Sequence, residues 1–348
     1  MGGEEATGRP GGLVMGQVIV LRLGQYRNLW RMRVRLTMLS GGVGGARLAR
    51  GLAAIPEVEL TVIVNVGDDD RIYGLTISPD IDTVIYTMAR KEGPHGWGLR
   101  DDSFTVMGAM ETLPIDTTFR VGDHDLATNL FRTARLAAGW SLTWVTTALA
   151  SAFGVPATVL PATDDPLKTE LKVANNQWIS FQEYFVVRHH EEEVQDIRFL
   201  GAGTAVPAPG VLEAIDSSDV LLIGPSNPVL SIWPILAIPA VGRAVGRKAR
   251  VMAVSPLIGG SALKGPADRV LLALGYGTGT AAVIDSYGGL LTDIIIDSAD
   301  SNEAADLSRK GTGPPRIRIT DTRMGDMAAS TRLARFVLEA VGDQRRQS

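Results

Sequence analysis

Between Val34 and Asp82 two elements suited to phosphate chemistry lie close together. The first is a glycine turn, Ser40-Gly41-Gly42-Val43-Gly44-Gly45-Ala46-Arg47, directly after an apolar strand. The second is an acidic stretch, Asn65-Val66-Gly67-Asp68-Asp69-Asp70, followed after a short gap by Ser78-Pro79-Asp80-Ile81-Asp82-Thr83. A strand, a glycine turn and a helix leave backbone amides and a positive helix end at the strand's carboxyl edge, where a polyanion can approach without side-chain obstruction. Gly41, Gly42, Gly44 and Gly45 are therefore candidate phosphate contacts. Gly42-Val43-Gly44 begins like the dinucleotide fingerprint, but Arg47 stands where the third glycine belongs, and no Gly-Lys-Ser/Thr closes the turn as in a P-loop. The plain alternative is a tight strand-to-helix turn with no ligand.

The carboxylates bear on that choice. A dinucleotide enzyme would use one acid about 20 residues beyond the turn to hold a ribose, and Asp68 suits that spacing. Three adjacent aspartates repel one another more than one ribose requires. A divalent cation bridging phosphate oxygens relieves the repulsion, and hard oxygen ligands suit magnesium. Asp68, Asp69 and Asp80 are the metal candidates, and a solvated acidic turn is the alternative. Further on, Asp123-His124-Asp125 stand just before a helix that carries Arg132 and Arg135, where acids are commonly only caps. Ser226-Asn227, bracketed by Pro225 and Pro228 after a strand, and the Ser255–Gly260 loop with Lys264 suit the ligand crevice of an open α/β sheet.

The elements that must position these residues alternate. Val34–Leu39, Val58–Val66, Val220–Ile223, Ala249–Val254 and Ala282–Ile284 read as strands; Ala46–Ala54, Ile81–Arg90, Leu126–Ala138 and Leu142–Phe153 read as helices, with Asp80 or Asp82 placed to cap the second. Strands separated by helices imply a Rossmann-like, doubly wound, mostly parallel sheet covered on both faces. Residues 140–199 differ: Ala157–Leu160, Gln177–Ser180 and Tyr184–Arg188 are strand-like between polar turns, which predicts a smaller α+β insertion within a core of 32–139 and 200–341. Residues 1–31 read as an extension or an upstream start, with Met32 as the natural beginning of the fold, and 342–348 as a frayed tail.

Composition narrows the class. The 348 residues carry a formal charge of −4 with scattered basic residues, which gives no concentrated positive face for nucleic acid. The chain has no cysteine, which removes disulfides, thiolate metal sites and cysteine nucleophiles and is compatible with a reducing cytoplasm. Thr143–Ala162 and Ile232–Val241 are apolar but interrupted by Gly154-Val155-Pro156 and by Pro234 and Pro239, so no membrane span is expected.

Taken together, Ser40–Arg47, Val64–Asp69, Ser78–Thr83, Gly96–Asp101, Gly122–Thr128, Leu160–Asp165, Phe181–Glu183, Pro225–Ile232 and Ser255–Gly260 resemble, in this order, the 2-phospho-L-lactate transferase family of coenzyme F420 biosynthesis, including its bacterial phosphoenolpyruvate-using branch. The resemblance runs from Met32 to the C-terminus. It implies a Rossmann-like homodimer that requires Mg2+ and moves a phospho-acid group from a guanosine-diphospho donor to the ribityl hydroxyl of the deazaflavin Fo, releasing GMP. Phosphoryl transfer rests on positioning and charge neutralisation, which these residues can supply without a covalent nucleophile. The resemblance places Asp68 and Asp80 at the metal or the acceptor hydroxyl, supported by Asp69 and Asp82. It places the glycine turn at the diphosphate ester, Ser226, Asn227 and Lys264 at the nucleotide, and His124 and Arg132 at the acceptor or the transferred group. The family commonly has arginine where His124 stands, a departure from a fixed positive charge. Trp97, Phe181 and Tyr184 are candidates for stacking on the deazaflavin. The alternatives are a non-catalytic nucleotide or nucleotide-sugar binding regulator of the same fold, and a dinucleotide oxidoreductase, which Arg47 and the excess of carboxylates disfavour.

Overall fold

The computed structural model describes residues 33–309 and 315–345; the expected N-terminal extension and Met32 lie outside them. The chain opens with β1 (Val34–Ser40), α1 (Gly42–Ala53) and β2 (Val58–Val64). A small hairpin, β3 (Asp70–Ile72) and β4 (Leu75–Ile77), leads into α2 (Pro79–Met88) and α3 (Thr105–Met110). Next come α4 (Asp123–Ala137), α5 (Leu142–Ala152) and β5 (Thr158–Pro161). A separate trio follows, β6 (Lys168–Val173), β7 (Gln177–Ser180) and β8 (Asp196–Leu200). The second half holds α6 (Val211–Ser217), β9 (Val220–Ile223), α7 (Trp233–Leu236), α8 (Pro239–Gly246), β10 (Val251–Val254) and the short β11 (Leu257–Ile258) and β12 (Ser261–Ala262). It ends with α9 (Ala267–Ala273), α10 (Gly279–Asp285), β13 (Asp293–Asp297), α11 (Ser301–Arg309), β14 (Arg316–Thr320) and α12 (Met327–Arg345).

Seven strands form one parallel sheet in the order β14-β13-β10-β9-β1-β2-β5, flanked by helices, which is the α/β architecture the alternating pattern implies. β9, β10 and β13 are buried along their whole length, as strands covered on both faces must be. From β1 the chain winds outward through β2 to β5, then returns to the other side of β1 and winds outward through β9, β10, β13 and β14. The direction therefore reverses between β1 and β9, and the crevice at the carboxyl ends of these two strands is where an open α/β sheet takes its ligand.

Helix α1 is buried nearly all round, packed by α2 and α12. A Cβ at Gly51 would lie 2.3 Å from the Ser330 carbonyl oxygen, so only glycine lets α12 approach this closely. Among the described residues no single helix is long and apolar enough to cross a membrane; the apolar pair Pro228–Leu236 and Pro239–Gly246 is bent by 97°.

Four expectations need correction. Ala282–Ile284 is not a strand but lies within α10, where a short apolar run does not by itself distinguish the two. Tyr184–Arg188 is also not a strand: Glu183–Val187 forms a π-helical turn, with Tyr184 buried beneath it and Arg188 bonded back to Glu183. The separate sheet is narrower than residues 140–199. α5 packs on β5, and β5 pairs in parallel with β2 from Thr61↔Thr158 to Val64↔Pro161, so both belong to the large sheet; the antiparallel β7-β6-β8 alone stands apart. Finally, the boundary set after Val341 falls inside a helix, since α12 runs to Arg345; residues 346–348 of the expected tail lie outside the described residues.

A Cβ at Gly44 would lie 2.2 Å from the Pro225 carbonyl oxygen, a backbone atom that cannot swing aside. Gly44→Ala should lower stability in urea denaturation by roughly 1–3 kcal/mol through overpacking. Helix propensity alone favours alanine by about 1 kcal/mol, so a gain in stability would show that the 225 loop does not seat here.

Candidate active site

The crevice is built from backbone approaches that glycine permits. Gly41 donates its amide to Ser226 Oγ at 3.1 Å, and that hydroxyl donates back to the Gly41 carbonyl at 2.6 Å. A Cβ at Gly45 would meet Ser226 Oγ at 2.7 Å, and one at Gly41 would meet Asp80 Oδ2 at 2.4 Å. Gly41, Gly44 and Gly45 thus let the β9 loop and α2 close onto the first turn of α1. Only Gly42 has a positive φ, +59°, and its amide donates to Asp80 Oδ1 at 2.6 Å. The positive end of α1 is therefore met within the fold by a carboxylate.

Asp80 and Asp82 are not caps of α2; they sit in its first turn, behind Ser78 at the N-cap. They face the loop after β2, which brings Asp68 and Asp69. Asp68, Asp80 and Asp82 are each at most 6% exposed. Asp80 Oδ2 and Asp68 Oδ1 both accept from Asn65 Nδ2, at 3.0 and 3.3 Å. Asp69 Oδ2 accepts from Ser78 Oγ at 2.7 Å, while its Oδ1 is buried with no donor. Asp70, the third of the adjacent acids, leaves this group and pairs with Lys168 at 3.0 Å.

Burial of like charges raises these acids. Burial pushes Asp68 well above the usual carboxylate range, with the charges of Asp80 and Asp69 adding to it. Burial raises Asp69 to about 8, against the opposing pull of Ser78 and Arg132. Asp80 is raised by burial to about 6, held down by its bonds from Asn65 and Gly42. Burial also raises Asp82, opposed by Arg132.

Arg132, expected at a substrate, is wholly buried under the carboxylates. Its guanidinium bonds Asp82 and, at 2.5 Å, Asn129 Oδ1, so in this structure it neutralises the cluster from below. A fifth acid joins on α4: Asp125 accepts from the Tyr86 hydroxyl at 2.8 Å and is raised by burial, then by Asp82, to about 7. The other acids near this helix start are indeed caps. Asp102 accepts from the amides of His124 and Asp125 at 2.7 and 3.0 Å, and Asp123 accepts from those of Thr105 and Val106 at 2.9 and 3.0 Å, so α3 and α4 cap each other.

The remaining candidates divide. His124 is exposed, with Nδ1 3.2 Å from Asp102. Asn227 Oδ1 accepts from the amides of Val229 and Leu230 at 3.0 and 3.1 Å, which makes it a helix cap as well as a crevice residue. Lys264 donates to the His95 carbonyl at 2.5 Å and lies over the Trp97 ring at 5.2 Å, joining two loops beside α1. Tyr184 is buried and corrected to a core residue; Phe181 is half-buried and stacks on Phe185 at 5.4 Å; Trp97 is exposed. Sequence reasoning gave no role to Asn65, Gln182 or Tyr86 and offered Asp125 only as a helix cap. Gln182 donates to the Asp68 carbonyl at 2.9 Å and Thr169 to the Gly67 carbonyl at 2.6 Å, so the small sheet grips the acidic loop. The signal that was available was the placing of Asn65 at the end of β2, beside the acids.

Asp68, Asp69 and Asp80 do not by themselves enclose a metal: among the described residues no three acidic or histidine side chains form a group that could hold one. Asp69 turns to Ser78 and Asp80 to Gly42 and Asn65. The residues nonetheless fit a divalent ion. Asp69 Oδ1 lacks a donor, three buried and two half-buried acids gather near one guanidinium, and magnesium commonly takes one or two carboxylates with substrate phosphates and water completing its shell. A cavity of about 690 Å³ opens between α4 and α5, with Asp101 the one acid in its lining. Phe131, Leu149 and Phe153 wall it, Arg90, Lys91 and Arg100 are among its cations, and His124 and Thr128 line it from the first turns of α4.

The chain is similar to several known proteins. A model of the family described as 2-phospho-L-lactate transferase CofD matches residues 36–329. A phosphoenolpyruvate transferase from Kitasatospora aureofaciens is 41% identical over 316 residues, covering 88% of this chain and 97% of its own. A 2-phospho-L-lactate transferase from Methanosarcina acetivorans is 36% identical over 305 residues, covering 87% and 98%. The crystal structure of a UPF0052 family member from Bacillus halodurans superposes with a TM-score of 0.59 at 17% identity over 88% of this chain and 99% of its own, a likeness of fold.

The raised acids set a pH dependence. Asp69 has a folded pKa of about 8 against 3.8 for the free group, so the folded state holds the proton more tightly. Metal-free stability should be highest below the lower value and fall as pH rises through the window to the upper one. Thermal melts should show Mg2+ stabilising the protein more at the alkaline end of that window than at the acid end. Equal shifts at both ends would mean the cluster does not bind the ion.

Proposed function

The chain belongs to the 2-phospho-L-lactate transferase family, and from that premise we propose a magnesium-dependent transfer of a phospho-acid group from a guanosine-diphospho donor to the terminal ribityl hydroxyl of the deazaflavin Fo, in coenzyme F420 biosynthesis. Phosphoenolpyruvate is the favoured group, because relatives of that name from Kitasatospora and Streptomyces match at 37–41% identity against 36% for the Methanosarcina acetivorans phospholactate transferase. The observation that carries the reading is the acid cluster of buried Asp68, Asp80 and Asp82 with half-buried Asp69 and Asp125, beside the amino end of α1, at the edge where the sheet reverses.

In the transfer a bond forms between the ribityl oxygen and the donor's β-phosphorus, the bond from that phosphorus to the bridging oxygen breaks, and GMP leaves. Asp68 or Asp80 takes the hydroxyl proton, and acids raised toward neutrality suit that role. Asp80 is held for it by the Gly42 amide and Asn65. Asp68 and Asp80, with Asp69 nearby, would hold Mg2+, which supplies charge neutralisation to the diphosphate when bound. The amino end of α1 faces the diphosphate, and Asn227 and Lys264 lie toward the nucleotide. The cavity walled by Phe131 and Phe153 suits the flat apolar deazaflavin, with His124 and Thr128 in its lining on the same helix as Asp125. Assembly as a cytoplasmic homodimer is part of the same reading.

Mass analysis of the product from Fo with phosphoenolpyruvate, phospholactate and phosphoglycerate donors should give the enolpyruvyl phosphodiester, with GMP released only when Mg2+ is present. Absence of turnover with every donor, together with tight binding of a UDP-sugar, would point to the regulator instead. Asp68→Asn should reduce turnover by about a hundredfold or more, with circular dichroism unchanged; wild-type turnover would remove Asp68 from the chemistry.

A further inference from the structure

We infer that Asn65 is the positioning residue that holds Asp68 and Asp80 together for a shared divalent ligand, an inference that rests on the transferase reading. Asn65 directly follows β2 and is 1% exposed. Its Oδ1 accepts from the Gly67 amide at 2.8 Å. That bond fixes the orientation of the side chain, since an amide donor requires the oxygen there, and it leaves both Nδ2 hydrogens for the carboxylates. One goes to Asp80 Oδ2 at 3.0 Å and one to Asp68 Oδ1 at 3.3 Å. A single planar group therefore ties two like charges from separate elements, the loop after β2 and the first turn of α2.

The restraint is unequal. Asp80 stands on a helix and keeps a second hold, the Gly42 amide on its Oδ1. Asp68 stands on a loop, and among the described residues its carboxylate has only its own backbone amide besides Asn65. Loss of Asn65 thus leaves Asp80 in place and frees Asp68 to turn away from it under their mutual repulsion. The backbone of the loop stays anchored independently, by Thr169 on Gly67 and Gln182 on Asp68. The effect of removing Asn65 should therefore fall on ligand geometry and leave the fold in place.

The test compares the full-length wild type with Asn65→Ala and Asn65→Ser. Binding of Mn2+ alone is read by electron paramagnetic resonance, melting temperature is read without metal, and turnover is read at saturating donor. A charge-assisted hydrogen bond of this kind corresponds to roughly a ten- to hundredfold weakening of Mn2+ binding, with kcat falling, donor KM held, and the metal-free melt lowered by loss of the Gly67 amide's acceptor but still a single cooperative transition. Serine, too short to span both acids, should behave like alanine; if the alanine variant fails to fold, serine decides. Wild-type Mn2+ affinity in the folded variants, or no Mn2+ binding by the wild type, would overturn the inference. Absence of GMP release by the wild type with every donor would instead defeat the transferase reading, and the Mn2+ measurements would still judge the clamp.

Discussion

Five carboxylates, three buried and two half-buried, gathered near one guanidinium are the constraint on which this structure turns. Water would ordinarily screen such a group, and here it is largely excluded, so each acid needs either a proton, a donor or a cation. The fold answers with partners taken from different elements. Arg132 comes from α4 to Asp82, the Gly42 amide from α1 to Asp80, Ser78 to Asp69, Tyr86 from α2 to Asp125, and Asn65 to two acids at once. The partners do not balance the charge, and the excess is what suits the cluster to the divalent ion proposed above. Protonation is the competing answer, which is why several of these acids are raised toward or past neutrality.

That need explains the close packing around the crevice. The β9 loop can lie against α1, and α2 can place Asp80 at its amino end, because Gly41, Gly44 and Gly45 have no Cβ to intervene. Gly67 answers the same need on the other side, where a Cβ would meet Thr169 Oγ1 at 2.6 Å. The small sheet of β6, β7 and β8 is thus part of the frame of the site. It holds the backbone of the acidic loop while Asn65 and Ser78 hold its side chains. The reciprocal capping of α3 and α4 by Asp123 and Asp102 fixes the end of α4 from which Asp125 and His124 project.

Much of this was legible from local pattern. The alternation of apolar runs with helical stretches gave the parallel sheet, because burial on both faces and the 3.6-residue period both leave marks in a short window. The errors fell where a short window is ambiguous. Ala282–Ile284 and Tyr184–Arg188 are apolar runs too brief to show a period, and β5 joins the large sheet only by pairing with β2, nearly a hundred residues earlier in the chain. The stacking role considered for Tyr184 failed for the same reason: burial is a property of what packs over a ring, which no neighbour in sequence reveals.

By itself the sequence determined the family, the fold class and the conjunction of a glycine turn with an unusual density of aspartates after β1 and β2, since residue type and spacing are local facts. Only the tertiary structure decided what each of these residues does. It showed that the glycines serve close approach, that Ser226 and Asn227 brace the crevice, and that Arg132 lies beneath the acids. It also revealed Asn65, Tyr86, Asp125 and Gln182 as parts of the same network. The reason is physical: a hydrogen bond or a repulsion acts across a few ångströms of space, and Gly42 with Asp80, or Asp82 with Arg132, become neighbours only when the sheet has brought its carboxyl edge together.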